Sequence, residues 1–222
     1  MKGSPKSANP APGQPRKTPV PGKFERTRLK LVGAIRSEIK ENGDFTAELV
    51  ARRSKSSPAN FYNHFATKES ALIAAYDQMM TELDALAVNK CQIERLLDEG
   101  IQPFMAGWVL ELGGFFANNN SLFRLAQGAF GHSKRLRDLF RTHETAVIET
   151  YRRFIELGQA AGQIRLGDPV TMAQVLTVLT ESWHHSLVQK VKPDDALHHE
   201  LTDALVRILQ SERKQKRQPR KR

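Results

Sequence analysis

The sequence holds one cysteine, Cys91, in 222 residues. An intrachain disulfide is excluded, and a reducing compartment suits the chain. Long apolar runs are missing too, since none approaches the roughly 18 residues expected of a membrane span. The opening stretch MKGSPKSANPAPGQPRKTPVPGK lacks the apolar middle of a secretory signal. Strand signals are almost absent. So are a phosphate-binding glycine loop, a convergent nucleophile–base set and a Cys/His spacing suited to zinc. These absences point to a cytoplasmic, all-α protein that is not an enzyme, needs no cofactor or metal and has no membrane partner.

Acidic residues are scarce at both ends. The formal net charge is +10 with an isoelectric point near 9.9, which suggests a polyanionic partner. Residues 1–23 contribute +5 with no acid, and 212–222 contribute +6. The body between them is nearly neutral but polarised, net +3 over 24–70 and −4 over 71–211. A nucleic-acid surface is therefore expected near the N-terminal end of the body. Residues 1–22 hold six of the eleven prolines and read as an extended, disordered arm. The run SERKQKRQPRKR reads as a basic disordered tail, either a solvated end or a source of non-specific phosphate attraction.

Helix signals fill the remainder. Leu29, Val32, Ile35 and Ile39 recur at helical spacing until Asn42-Gly43, and Thr46 opens a short helix, AELVARRS. Ser57-Pro58 is an N-cap followed by proline at the first helical position. Thr67 opens a long helix through Leu86. From Glu94, ERLLDEGIQPFMAGWVLELGGFFA reads as one helix kinked at Pro103, with a loop at the asparagines 118–120 and a short helix from Ser121 to Phe130. A long helix through Leu136 and Leu157 follows, then one from Asp168-Pro169 to about Lys190 and a last one from Pro193-Asp194. The total is about nine helices.

The stretch SSPANFYNHFATKES raises the functional question, because it breaks two helices close together and exposes polar residues between the breaks. Two short helices, 46–53 and 57–65, joined by a tight turn fit a helix-turn-helix, whose second helix enters a major groove about 12 Å wide. The residues FTAELVARRSKSSPANFYNHFATKESAL resemble the helix-turn-helix signature of tetracycline-repressor (TetR) family regulators. The matching residues are Phe61, Tyr62, Asn63, His64, Phe65, Lys68 and Glu69. Where that family usually has glycine and a β-branched residue in the turn, this chain has Lys55 and Ser56. The resemblance implies an N-terminal three-helix DNA-binding domain, residues 23–70, and a helical ligand-binding and dimerisation domain, 71–211. It implies phosphate contacts from Tyr62, His64 and Lys68. Asn60 and Asn63 are base-edge candidates, and Arg52, Arg53, Lys55 and Ser57 complete the candidate interface with double-stranded DNA. Phe61 and Phe65 are assigned to the core. For each polar residue the alternative is ordinary helix surface.

Seven of the eleven phenylalanines lie between 104 and 154. Most must form core, and the resemblance adds a pocket for an unidentified small apolar or amphipathic effector, with Phe104, Trp108, Phe115, Phe123 and Tyr151 as wall candidates. Val175, Leu176, Leu179, Trp183 and Leu187, with Leu201, Leu205 and Ile208, form stripes suited to a homodimer interface. Glu181 with His184 or His185, and His198-His199, invite a metal reading that the divergent directions of adjacent histidines disfavour. The expected function is a sequence-specific regulator, a ligand-released repressor on a palindromic operator. The alternatives are a non-specific binder acting through its tails and a helical enzyme or metal-binding protein.

Overall fold

Serine, threonine and proline at helix starts decide where the first four helices begin. The computed structural model describes residues 22–181, 185–193 and 195–210. Helix α1 (Lys23–Asn42) ends at Gly43. Thr46 caps α2 (Ala47–Arg53), its Oγ1 accepting from the Leu49 N–H at 3.3 Å. Ser57 caps α3 (Pro58–His64) in the same way through the Asn60 N–H. Thr67 and Ser70 form a reciprocal capping box at the start of α4 (Lys68–Lys90). Each cap satisfies an orphan N–H and is worth about 1 kcal/mol. Leu31, Ile35, Ile39, Phe45, Val50, Phe61 and Phe65 are buried in the core of this head, Phe61 of α3 and Phe65 just after it as expected.

The body comprises α5 (Ile93–Glu99), α6 (Ile101–Ala129), α7 (Lys134–Ala160), α8 (Pro169–Glu181), a 3-10 turn at Val188–Lys190 and α9 (Ala196–Leu209). Among the described residues there are nine α-helices and no strand. Helix α6 is the axis, packed by α1, α4, α5 and α9, while α7 packs on both α4 and α8. No described helix is long and apolar enough to cross a membrane.

Three boundaries differ from the sequence-based expectation. The helix thought to run from Glu94 through a kink at Pro103 is two helices, broken at Gly100, whose φ of 79° and ψ of 161° are accessible essentially to glycine alone. Pro103 then falls in the first turn of α6, where its missing N–H has no partner to lose. The asparagines at 118–120 do not form a loop and lie inside α6. Asn118 and Asn119 donate their side-chain amides to the carbonyls of Gly114 and Phe115, at 3.0 and 2.9 Å. Their amide oxygens accept from Lys40 and Arg36 of α1, so groups that elsewhere compete with helix are used across a helix contact. Finally, the helix from Pro169 does not run through to Lys190: α8 is described as far as Glu181, residues 186–187 form a turn and Val188–Lys190 a 3-10 turn.

The body also buries a charge. The Lys90 side chain is 1% exposed. Its ammonium sits 3.3 Å from Glu111 Oε1 and 4.9 Å from the centre of the Phe104 ring. Room for it comes from Gly107, where a Cβ would lie 2.8 Å from Nζ. Neighbouring Cys91 is free, and burial pushes its thiol up to about 12 against the opposing charge of Lys90.

The Gly100 break supplies a test. Gly100→Ala should lower the free energy of unfolding by about 1–3 kcal/mol, read as a shift of the urea midpoint with unchanged slope.

Candidate nucleic-acid interface and interior cavity

The turn between α2 and α3 is closed by its own backbone. Ser54 N–H donates to Val50, and Ser56 N–H reaches back to Ala51 at 2.8 Å. This requires Lys55 to adopt φ of 52°, the sole positive φ at a non-glycine among the described residues. Lys55 thus takes the left-handed place where the resembling family usually has glycine. Its side chain remains exposed.

On α3 the outward face is Pro58, Ala59, Tyr62 and Asn63, with Tyr62 55% exposed although aromatic. Ser57 is exposed at the helix start. Asn60 and His64 lie on the adjoining face and are half-buried. Asn60 Nδ2 donates to Ser56 Oγ at 2.7 Å, which ties it to the turn. Asn63 is exposed and one helical step from Tyr62. The His64 ring packs on Phe24 with centroids 4.1 Å apart, fixing the start of α1 beside α3.

The cations divide into two groups. Arg53 is committed to α1: its Nε lies 2.5 Å from Glu38 Oε1, and its terminal nitrogens bond Glu41. The hydrogen bond from Arg53 holds the buried Glu38 carboxyl below its ordinary value. Lys68 is half-exposed and paired with Asp44 at 2.6 Å. For Asp44 burial pulls upward, but the bonds from Lys68 and the Phe45 N–H leave its carboxyl lowered. Arg52 and Lys55 are exposed and make no salt bridge among the described residues, so they offer their charge to an external anion.

In the body, α4, α6, α7 and α8 enclose a cavity of about 50 Å³. Met80, Leu83 and Ala87 line it from α4, Leu112, Phe116 and Phe123 from α6, Phe140, Glu144, Val147 and Tyr151 from α7, and Thr177 and Thr180 from α8. Of the expected wall residues Phe123 and Tyr151 line it. Trp108 stands behind Tyr151 in an edge contact at 6.2 Å. Phe104 stacks on Phe154 at 5.2 Å, and Phe115 packs against Phe116. These three serve the core. Burial pushes the ionisation of the Tyr151 hydroxyl far upward. Glu144 and the two threonines went unnoticed in the sequence; their signal was the stripe Phe140, Glu144, Val147 and Tyr151, which places a carboxylate on an apolar helix face.

Beside the cavity, His143 joins two helices. Its Nδ1 lies 2.5 Å from Asp84 Oδ2 and its Nε2 3.3 Å from Asp77 Oδ1, both on α4.

The dimer candidates separate by burial. Leu176 and Leu205 are buried within the protomer, so they are corrected to core. Leu179, Leu201 and Ile208 are half-buried. Val175 and Leu187 are exposed, and Val178 and Leu197 extend the outer apolar surface. Trp183 and His184 lie outside the described residues. His198 is buried with Nε2 3.0 Å from the Ala106 carbonyl, a structural bond. Among the described residues no group of three or more His, Cys, Asp or Glu could hold a metal.

Two outcomes follow. Glu38 contributes stability that is fully present above its unfolded value of 4.5 and lost as pH falls through its lowered folded value. Melting temperature should therefore decline from that pH downward, and Glu38→Gln should flatten this part of the profile. Lys55→Gly should relieve the left-handed cost and raise the unfolding free energy by up to roughly 1 kcal/mol, measured by denaturant titration.

No protein-family model and no curated protein sequence matches the chain. Solved structures do. A protein from Mesorhizobium loti described as a TetR-family transcriptional regulator aligns with a TM-score of 0.70 at 14% identity, over 86% of this chain and 100% of that one. GusR of Salmonella enterica aligns with a TM-score of 0.67 at 16% identity, over 85% of this chain and 97% of its own. SmeT in complex with triclosan aligns with a TM-score of 0.62 at 16% identity, over 84% and 93%. At these identities the likeness is one of fold: nearly the whole length of each relative, head and body together, is reproduced here.

Proposed function

We propose that the chain is a TetR-family transcriptional regulator that binds a palindromic operator as a homodimer, acts in the cytoplasm and is released by a small-molecule effector. The observation that carries this reading is the face of α3. Tyr62 and Asn63 are presented outward by a short helix whose start, turn and following helix are each capped, and Arg52 and Lys55 stand unpaired beside them. Tyr62 touches the edge of the Phe61 ring but leaves most of its own ring and its hydroxyl to the outside. On DNA its hydroxyl can bond a phosphate, and an adjacent asparagine can bond adenine bidentately. The fold shared with solved regulators supports the same reading. The exposed valines of α8 and leucines near α9 support a two-fold dimer, with half-sites roughly 34–36 Å apart or a multiple of that.

The test is a gel-shift titration of the full chain on the gene's own upstream region, with excess competitor DNA. Asn63→Ala should weaken specific binding about 10- to 100-fold, as expected for the loss of one bidentate base contact of about 1–3 kcal/mol. Tyr62→Ala should weaken it on every operator variant alike. Equal binding to all DNA, insensitive to both substitutions, would instead assign binding to the basic ends, which carry +5 and +6.

A further inference from the structure

We infer that the interior cavity takes a lipophilic cation, an amine with an aromatic or aliphatic body whose positive end is held by Glu144. This inference rests on the reading of the cavity as an effector site. The wall contains one charged group, the Glu144 carboxylate, and neither lysine nor arginine. Glu144 is half-buried and has no ion pair or hydrogen bond among the described residues. The two threonines of the wall are already engaged. Thr177 Oγ1 donates to the Ala173 carbonyl and Thr180 Oγ1 to that of Thr177. Tyr151 is buried, with its ring edge against Trp108. A ligand therefore meets an apolar interior with one unanswered negative charge.

The surroundings point the same way. Adjacent to Glu144 in the chain, His143 sits between Asp77 and Asp84. Two carboxyl groups thus face one imidazole beside the cavity, and no lysine or arginine pairs with either of them among the described residues. An anionic ligand would bring like charge against Glu144 where water is partly excluded, and a neutral one would leave the carboxylate without a partner. A cation gains an ion pair at Glu144, and Phe116, Phe123, Phe140 and Tyr151 offer ring faces or edges to the body and to the charge. Because Glu144 is half-buried, the charged end lies toward the rim and the apolar body inward.

The experiment uses the full-length protein and three matched probes: phenylbutylammonium, phenylbutanol and phenylbutanoate. Binding is measured by calorimetry near neutral pH for the wild type and Glu144→Gln, without DNA, so the outcome is independent of the gel shift. The ammonium compound should bind about 10- to 100-fold more tightly than the alcohol, the range expected of a hydrogen bond to a charged group. The carboxylate should bind weakest. Glu144→Gln should abolish the ammonium's advantage and leave the alcohol's affinity unchanged. Equal or better binding of the alcohol or the carboxylate, or a preference that survives Glu144→Gln, would overturn the inference. So would failure of all three to bind, and the DNA-binding reading would still stand or fall on its own test.

Discussion

Everything in the structure hangs on α4 being one uninterrupted helix. Its 23 residues extend about 34 Å at 1.5 Å per residue, long enough to serve two cores at once. The first turns bury Ala71, Leu72 and Ala75, where α4 packs on α1, and later turns supply Met80, Leu83 and Ala87 to the cavity wall. Its far end carries Lys90 into the body. Polar contacts hold it to its neighbours along this length. Arg36 of α1 makes a two-pronged pair with Glu82, Ser133 at the start of α7 donates to Glu69, and His143 reaches Asp77 and Asp84. A rod pinned at both ends transmits displacement better than it absorbs it, since packed interiors have low compressibility.

The charge arrangement of the head follows from the same economy of rigid parts. A DNA-binding surface needs free cations, while a small three-helix core needs fixed ones. Arg53 and Arg52 are adjacent in sequence yet differ in this respect: one is fixed, and the other is free for the DNA contact proposed above. The helical turn sends Arg53 back to the two glutamates of α1 and leaves Arg52 exposed. Lys68 is intermediate: its pair with Asp44 is exposed on both sides, so it is worth little and can be exchanged for a phosphate oxygen at small cost.

How much of this was legible in the sequence depends on the range of the physics involved. Caps act over three residues, so Thr46, Ser57 and Thr67 gave the helix starts in the head correctly. Lys55 in a turn that usually wants glycine was visible as a departure, and the backbone shows it accepting the left-handed conformation. Signals that depend on distant partners were not legible. The asparagines at 118–120 look like a loop until Arg36 and Lys40, some eighty positions away, are seen bonding them. Helical spacing marked α8 as unusually apolar, but it could not distinguish Leu176, which faces the protomer's own core, from Val178, which faces out. The aromatic residues of α6 were rightly read as mostly core. Which of them border space depends on how four helices meet, and no local pattern encodes that.

The size of the cavity constrains how an effector could act. At about 50 Å³ it is far below the roughly 300–1,000 Å³ typical of ligand sites, so a ligand must make room. Three walls resist. Helix α6 is the buried axis of the body, α4 is pinned at both ends, and α7 is bonded to α4 through Ser133 and His143. Helix α8 is the exception, since it packs chiefly on α7. It contributes Thr177 and Thr180 to the cavity on one face and shows Val175 and Val178 on the other. In the proposed dimer that outer face meets its symmetry mate, so a ligand that displaces α8 also alters the dimer packing. Under that proposal the spacing of the two copies of α3 would change without any change inside either head. The proposed regulation would then be a population shift with a defined mechanical cause: a ligand would favour the conformer with the larger cavity, and operator DNA the one with the matching spacing.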